Sequence, residues 1–292
     1  MLSKEEFFCY VENHILEYVK NPEGKEVRIQ KVCKNNHVSM TGVSIGTSEE
    51  RLQPVMYLET FYRMYIKGRD LGEVLCEIGA AYQEYEDGFP LEEEKIFDYG
   101  FIRKNLFFRL VNLDQNQEQL EQCPYEQVND LAVTYRWSAY RNSGGMASAL
   151  IRKRDLELWG VSEEQMKADA QENTRKMFPP SIKKIESIIP VQIEEGDIPI
   201  FVLSNGDYMN GASAMLYDEV LKEFAERMKS NLYILPSSIH EVILLLEDDA
   251  GNPEELSKMV KDTNRTVVDK EEVLSDHVYY YDRKEDQITI AN

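Results

Sequence analysis

Residues 198–247 constrain the fold more than any other stretch. Ile200-Phe201-Val202-Leu203 is a short apolar run, and Asn205-Gly206 follows it as a turn signal. Between 214 and 228, Leu216, Val220, Phe224 and Met228 recur at steps of four with Leu221 beside them, which draws one apolar stripe along a helix. Residues 232–235 and 242–246 are two more apolar runs, joined by Pro236-Ser237-Ser238-Ile239-His240-Glu241. The order is strand, turn, helix, strand, turn, strand.

Local signals extend this pattern to the rest of the chain. Ser3 with Glu6 forms a capping box and Leu2 with Phe7 its hydrophobic staple, so residues 3–20 are expected as a helix that stops at Asn21-Pro22. Residues 26–32 and 37–45 read as two strands of a hairpin around Lys34-Asn35-Asn36, with Val27 and Ile29 alternating with charged neighbours in the first. The aromatic-rich run 55–67 reads as helix, and Asp70 with Glu73 starts another that lasts to about residue 86, before Gly88-Phe89-Pro90. Residues 91–113 are expected to hold one or two more helices. Residues 131–138 and 146–152 pair as strands across Asn142-Ser143-Gly144-Gly145, and Ser162 with Gln165 caps a helix to about Met177. Residues 185–193 read as extended. Asn252-Pro253-Glu254-Glu255 places an N-cap, a proline at the first helical position and acids in the first turn. A short helical turn is expected at 268–273, and 278–281 with 287–290 close as a hairpin.

Strands come in hairpins between helices, not in steady strand–helix alternation. The expected class is therefore α+β, with antiparallel or mixed sheets packed by about seven helices. The Gln-, Asn- and Glu-rich residues 114–127 are the linker candidate, which divides the chain into an N-terminal α+β domain over 1–113 and a C-terminal one over 128–292.

Composition narrows function. The formal charge of −20 disfavours direct binding to nucleic acid or to an anionic membrane, because phosphates are repelled. No apolar run is long enough to span a bilayer, and the acidic N-terminus lacks a signal-peptide core, so a cytoplasmic protein is expected. Cys9, Cys33, Cys76 and Cys123 form no C-x-x-C pair and are read as buried reduced thiols. Arg152-Lys153-Arg154 and Lys183-Lys184 are balanced by nearby acids and read as solvated faces; Trp137, Tyr140 and Trp159 read as core.

The joint at 236–241 holds the chain's one cluster of catalytic-type side chains. Ser237 or Ser238, His240 and Glu241 supply nucleophile, base and carboxylate types. On an extended segment Ser238 and His240 share a side, and Glu241 does not. No G-x-S-x-G elbow precedes the serine. A turn explains the same residues, with Pro236 fixing the backbone and the hydroxyls bonding nearby amides. His277 beside Asp276 lacks the spacing of a metal site, and Asn205-Gly206-Asp207 with Asn210-Gly211 lacks a phosphate-loop pattern. No cofactor and no metal are expected.

Val55-Met56-Tyr57-Leu58 with Tyr62, Asn205-Gly206 through Gly211-Ala212, residues 232–243, and Glu271-Glu272-Val273-Leu274-Ser275-Asp276-His277-Val278-Tyr279 resemble a domain-of-unknown-function family of anaerobic Gram-positive bacteria, over nearly the whole chain. The layout is more remotely similar to a second uncharacterised cytoplasmic family. Neither resemblance implies a catalytic residue. The expected role is binding, with another protein as partner and no membrane contact. The alternatives are a hydrolase using Ser238 and His240, or an acidic mimic of nucleic acid that occupies the basic groove of an enzyme.

Overall fold

The first helix starts where its capping box places it. Ser3 Oγ accepts from the Glu6 amide, and Glu6 Oε2 accepts from the Ser3 amide at 2.8 Å. The computed structural model describes residues 1–47, 53, 55–88, 93–142, 145–190 and 198–291. They divide into two units, residues 1–97 with 139–147 and residues 98–138 with 148–292.

In the first unit, α1 (Lys4–His14) ends in a 3-10 turn over Ile15–Tyr18 instead of continuing to residue 20. Strands β1 (Glu26–Cys33) and β2 (Ser39–Gly46) pair antiparallel, with Val27 opposite Ile45 and Ile29 opposite Val43. Their link turns because Asn36 and His37 both adopt positive φ. The stretch expected as one helix from 55 opens instead with a short strand, β3 (Met56–Tyr57), that joins β2 before α2 (Leu58–Ile66) begins. Asp70 Oδ1 then accepts from the Gly72 amide and starts α3 (Leu71–Gly88). Phe7, Val11 and Ile15 pack with Val43 and Ile45 and with Val74, Leu75, Ile78 and Tyr82 to form this unit's core.

The second unit opens with α4 (Tyr99–Ile102) and then departs from expectation. Residues 106–112 form strand β4 (Leu106–Asn112), not helix. Leu106, Phe107, Phe108, Leu110 and Val111 are all buried, so both faces are covered and the period-2 signature of a half-exposed strand is lost. Residues 114–127, read as a linker, carry α5 (Gln117–Leu120) and part of β5 (Tyr125–Val128), with Asn116, Leu120 and Cys123 buried. Strand β6 (Leu131–Asn142) pairs with β4 on one side, and with β5 and β7 (Gly145–Leu150) as well. The turn residues 143 and 144 lie outside the described residues. Next come α6 (Lys153–Trp159) and α7 (Glu163–Met177), the latter capped by Ser162 as expected.

A six-stranded antiparallel sheet organises the rest. Its members are β8 (Pro180–Lys184), β9 (Ile200–Asn205), β10 (Leu232–Ser238), β11 (Glu241–Leu246), β12 (Tyr279–Asp282) and β13 (Gln287–Ile290), in the order β13-β12-β10-β11-β9-β8. All neighbours run antiparallel. The extended segment thus lies at 180–184, ahead of the expected 185–193; residues 185–187 form a 3-10 turn, and 191–193 fall outside the described residues. Helices α8 (Val220–Met228) and α9 (Pro253–Thr266) belong to the same unit. The helix expected over 214–228 is broken. A buried 3-10 segment covers Gly211–Leu216, Tyr217 is extended, and Glu219 has φ of +68°. Tyr217 is buried and donates its hydroxyl proton to the Phe178 carbonyl, which draws the backbone out of helical register. Residues 268–273 make a turn, closed by the Glu272 amide on the Asp269 carbonyl at 2.8 Å, in place of a helical turn. Contrary to expectation, Cys9, Cys33 and Cys76 are exposed; Cys123 alone is buried.

The edge of β4 is closed by hydroxyls. The Phe108 amide donates to Thr174 Oγ1 of α7 at 2.9 Å, and the Leu110 amide donates to Ser213 Oγ at 3.1 Å. Alternate residues of a strand point their amides to the same side, so these side chains stand where a neighbouring strand would.

Candidate functional site

The hairpin of β10 and β11 turns at Ile239 and His240, with a register shift between Pro236 and Ser238. A proline lacks the amide that a ladder needs, and a bulge is where a strand tolerates it. Ser238 is buried, and its Oγ accepts from the backbone amide of His240 at 3.0 Å. Its bond to His240 is therefore made with the backbone, not with the imidazole. Glu241 sits opposite Ser238 in the ladder.

The imidazole of His240 faces elsewhere. Its Nδ1 accepts from the Asn210 amide at 3.2 Å, so the proton of the neutral ring sits on Nε2, which lies 3.5 Å from Glu272 Oε1. The carboxylate beside His240 is Glu272, supplied by the turn at 268–273, and not its sequence neighbour Glu241. The Ile239 amide also donates to the Glu272 carbonyl at 2.8 Å, which fixes that turn against the hairpin.

The loop after β9 completes this cluster. Asn205 is buried; its Oδ1 accepts from the Asp207 and Met209 amides, and its Nδ2 donates to the Met209 carbonyl at 2.7 Å. Tyr208 and Asn210 hold positive φ inside the closed loop. Ser204 Oγ donates to the His240 carbonyl at 2.8 Å. Ser204, Asn205, Ser238 and His240 thus spend their bonds on loop and hairpin geometry.

A second cluster escaped the sequence reading. Asp130 lies in the turn between β5 and β6. Its Oδ2 accepts from Ser275 Oγ at 2.6 Å and from His277 Nδ1 at 3.0 Å, and its Oδ1 accepts from the Tyr279 hydroxyl at 2.6 Å. Burial alone would raise the Asp130 pKa, but hydrogen bonds from Ser275, Tyr279 and His277 outweigh it and hold the carboxyl below its ordinary range. Burial, reinforced by the neighbouring Asp130 charge, pushes the Tyr279 phenol well above its ordinary value, so it stays a donor. Ser275 Oγ also accepts from the His277 amide at 2.9 Å, and its own proton is directed to Asp130. Asn264 of α9 donates to the Ser275 carbonyl and to Asp276 Oδ1, and Asn112 donates to the Leu274 carbonyl. Asp130 and Ser275 are 145 residues apart, and no local spacing announces their meeting.

Among the described residues no group of three or more His, Cys, Asp or Glu side chains is placed to hold a metal ion. None of the helices among them is long and apolar enough to cross a membrane. The fold is that of an α+β protein built on antiparallel sheets. The chain belongs to a family of unknown function (DUF5688), whose family model matches residues 4–283. No curated protein and no solved structure matches it.

Proposed function

We propose that this protein acts by binding another protein, and that the outer face of α9 receives an acidic segment of that partner. The supporting observation is the character of this face. A shallow groove of about 520 Å³ follows the helix from Pro253 to Arg265, lined by Lys258 and Lys261 one turn apart. Among the described residues neither lysine makes an ion pair, whereas Arg265 is held by Asp262 at 2.9 Å. Glu254 and Asp262 also line the groove, and Asp262 is taken up by Arg265, which leaves Lys258 and Lys261 as its solvated cations. Two such cations one helical turn apart suit a carboxylate-bearing peptide. A nucleic acid would bring an extended phosphate array against the field of a chain of charge −20, whereas a short acidic segment, screened beyond about 8–10 Å, meets mainly the local cations Lys258 and Lys261.

Co-purification from the native host tests this, with K258E/K261E as the paired variant. The wild type should capture a partner whose retention falls as salt rises, and the charge reversal should lose it. A wild-type chain that captures nothing, or a capture indifferent to both salt and the double substitution, sinks the reading.

A further inference from the structure

His277 differs from His240 in one respect that decides reactivity. The His240 ring spends its Nδ1 lone pair on the Asn210 amide, and its Nε2 proton faces Glu272. The His277 ring uses one nitrogen, Nδ1. An ionised carboxylate accepts and never donates, so the nitrogen facing Asp130 must carry the proton, and the lone pair of the neutral ring is left on Nε2. The His277 side chain is 50% exposed and its Asp130 partner only 18%. A half-buried carboxylate held by three hydrogen bonds behind an exposed imidazole is the arrangement that fixes a tautomer and stabilises the ring as it gains charge.

We propose that the Asp130–His277 pair is an acyl-transfer site, in which His277 Nε2 attacks the carbonyl carbon of a small, neutral, activated acyl donor. Neutrality of the donor follows from the charge of −20 and from the adjacent Asp276, which disfavour anionic electrophiles. The Nε2–carbon bond forms as the acyl carbon–oxygen bond breaks, and the leaving group departs with the electron pair. The positive charge on the ring is met by Asp130 through the Nδ1 proton. Water then adds to the acyl carbon, the carbon–nitrogen bond breaks, the acid is released with one proton, and the neutral ring returns. His277 is the reacting residue. Asp130 is a positioning residue, and Ser275 and Tyr279 hold it. This site is independent of the α9 surface.

Diethyl pyrocarbonate, a neutral acyl donor, is the probe, used on the full chain with peptide-mapped mass spectrometry. His14 is the internal reference. Its side chain is 40% exposed and its Nδ1 lies 2.9 Å from Glu17, but that glutamate is itself 66% exposed. His277 should be acylated roughly tenfold faster than His14, because its partner is fixed by Ser275 and Tyr279 and is less exposed than Glu17. D130N should bring the His277 rate down to that of His14 without changing the latter, and D130E should restore part of it. Hydrolysis of p-nitrophenyl acetate should fall in H277A and persist in H14A. Equal rates at His277 and His14 in the wild type would overturn the proposal, a comparison that stands even if D130N does not fold. So would a folded D130N whose His277 reacts as fast as before.

Discussion

Gly211 lies directly against the carbonyl of His240. A β-carbon at 211 would collide with that oxygen, with Ser204 Oγ and with the Asn205 amide. Two of these three atoms, Ser204 Oγ and the His240 carbonyl, bond to each other, so the neighbours have little room to yield. Gly211→Ala should therefore cost about 2–3 kcal/mol, the range expected of overpacking where backbone must move. Gly206→Ala is the control, since nothing lies within 4 Å of its β-carbon position. Urea midpoints of the two variants should separate clearly, and similar midpoints would mean that the loop relaxes around the extra methyl.

The hydroxyls at the edge of β4 make a second prediction. Thr174→Val keeps the shape of the side chain but leaves the buried Phe108 amide without its acceptor. An orphaned buried donor costs about 1–3 kcal/mol. Hydrogen exchange should report the same loss locally, with the Phe108 amide exchanging faster and the Leu110 amide, held by Ser213, much less affected. Equal acceleration at both would point to opening of the whole edge. In the double variant with Ser213→Ala the edge is uncovered, and concentration-dependent aggregation should appear.

What the sequence made legible was whatever neighbours in the chain decide. Ser3 with Glu6, Asp70 with Gly72 and Asn252 with Pro253 start their helices where spacing places them, because a cap bonds amides two or three residues away. The alternation of β1, its hairpin with β2 and the closing hairpin of β12 and β13 are legible for the same reason. Strand β4 reads as helix in the sequence because burial of both faces erases the period, and only tertiary contact covers them. At the candidate site, Ser238 and His240 stood out, but local reading supplied Glu241 as the carboxylate where the fold brings Glu272. His277 is weighed in the sequence only beside its neighbour Asp276, whereas the carboxylate it meets is Asp130, 147 residues away, which is ordinary among its own neighbours.

In the first unit, Ser3→Ala removes one half of the capping box and should cost about 1 kcal/mol. The Glu6 carboxyl, lowered by its bonds to the Ser3 backbone and side chain, should titrate closer to its ordinary value in the variant. A carboxyl titration by nuclear magnetic resonance checks this, and an unmoved Glu6 would show that the backbone bond to Ser3 persists alone.

Asp130 supplies the pH-dependent prediction. Its carboxyl is held below the ordinary value in the fold, so it contributes stability that is fully present above the unfolded carboxyl pKa and is lost as pH falls through the folded one. Asp130→Asn offers one acceptor oxygen in place of two and turns an amide donor toward donors that already face it from Ser275, Tyr279 or His277. At pH 7 the substitution should cost about 1–3 kcal/mol, the range for hydrogen bonds to a charged, half-buried group. Below the folded Asp130 pKa the wild-type carboxyl is protonated as well, and the difference between the two proteins should shrink. Urea unfolding at pH 7, and again at steps of falling pH until the carboxyl titrates in the folded wild type, measures both. A gap that stays the same size after the folded carboxyl has titrated would show that Asp130 acts here through shape and not through its charge.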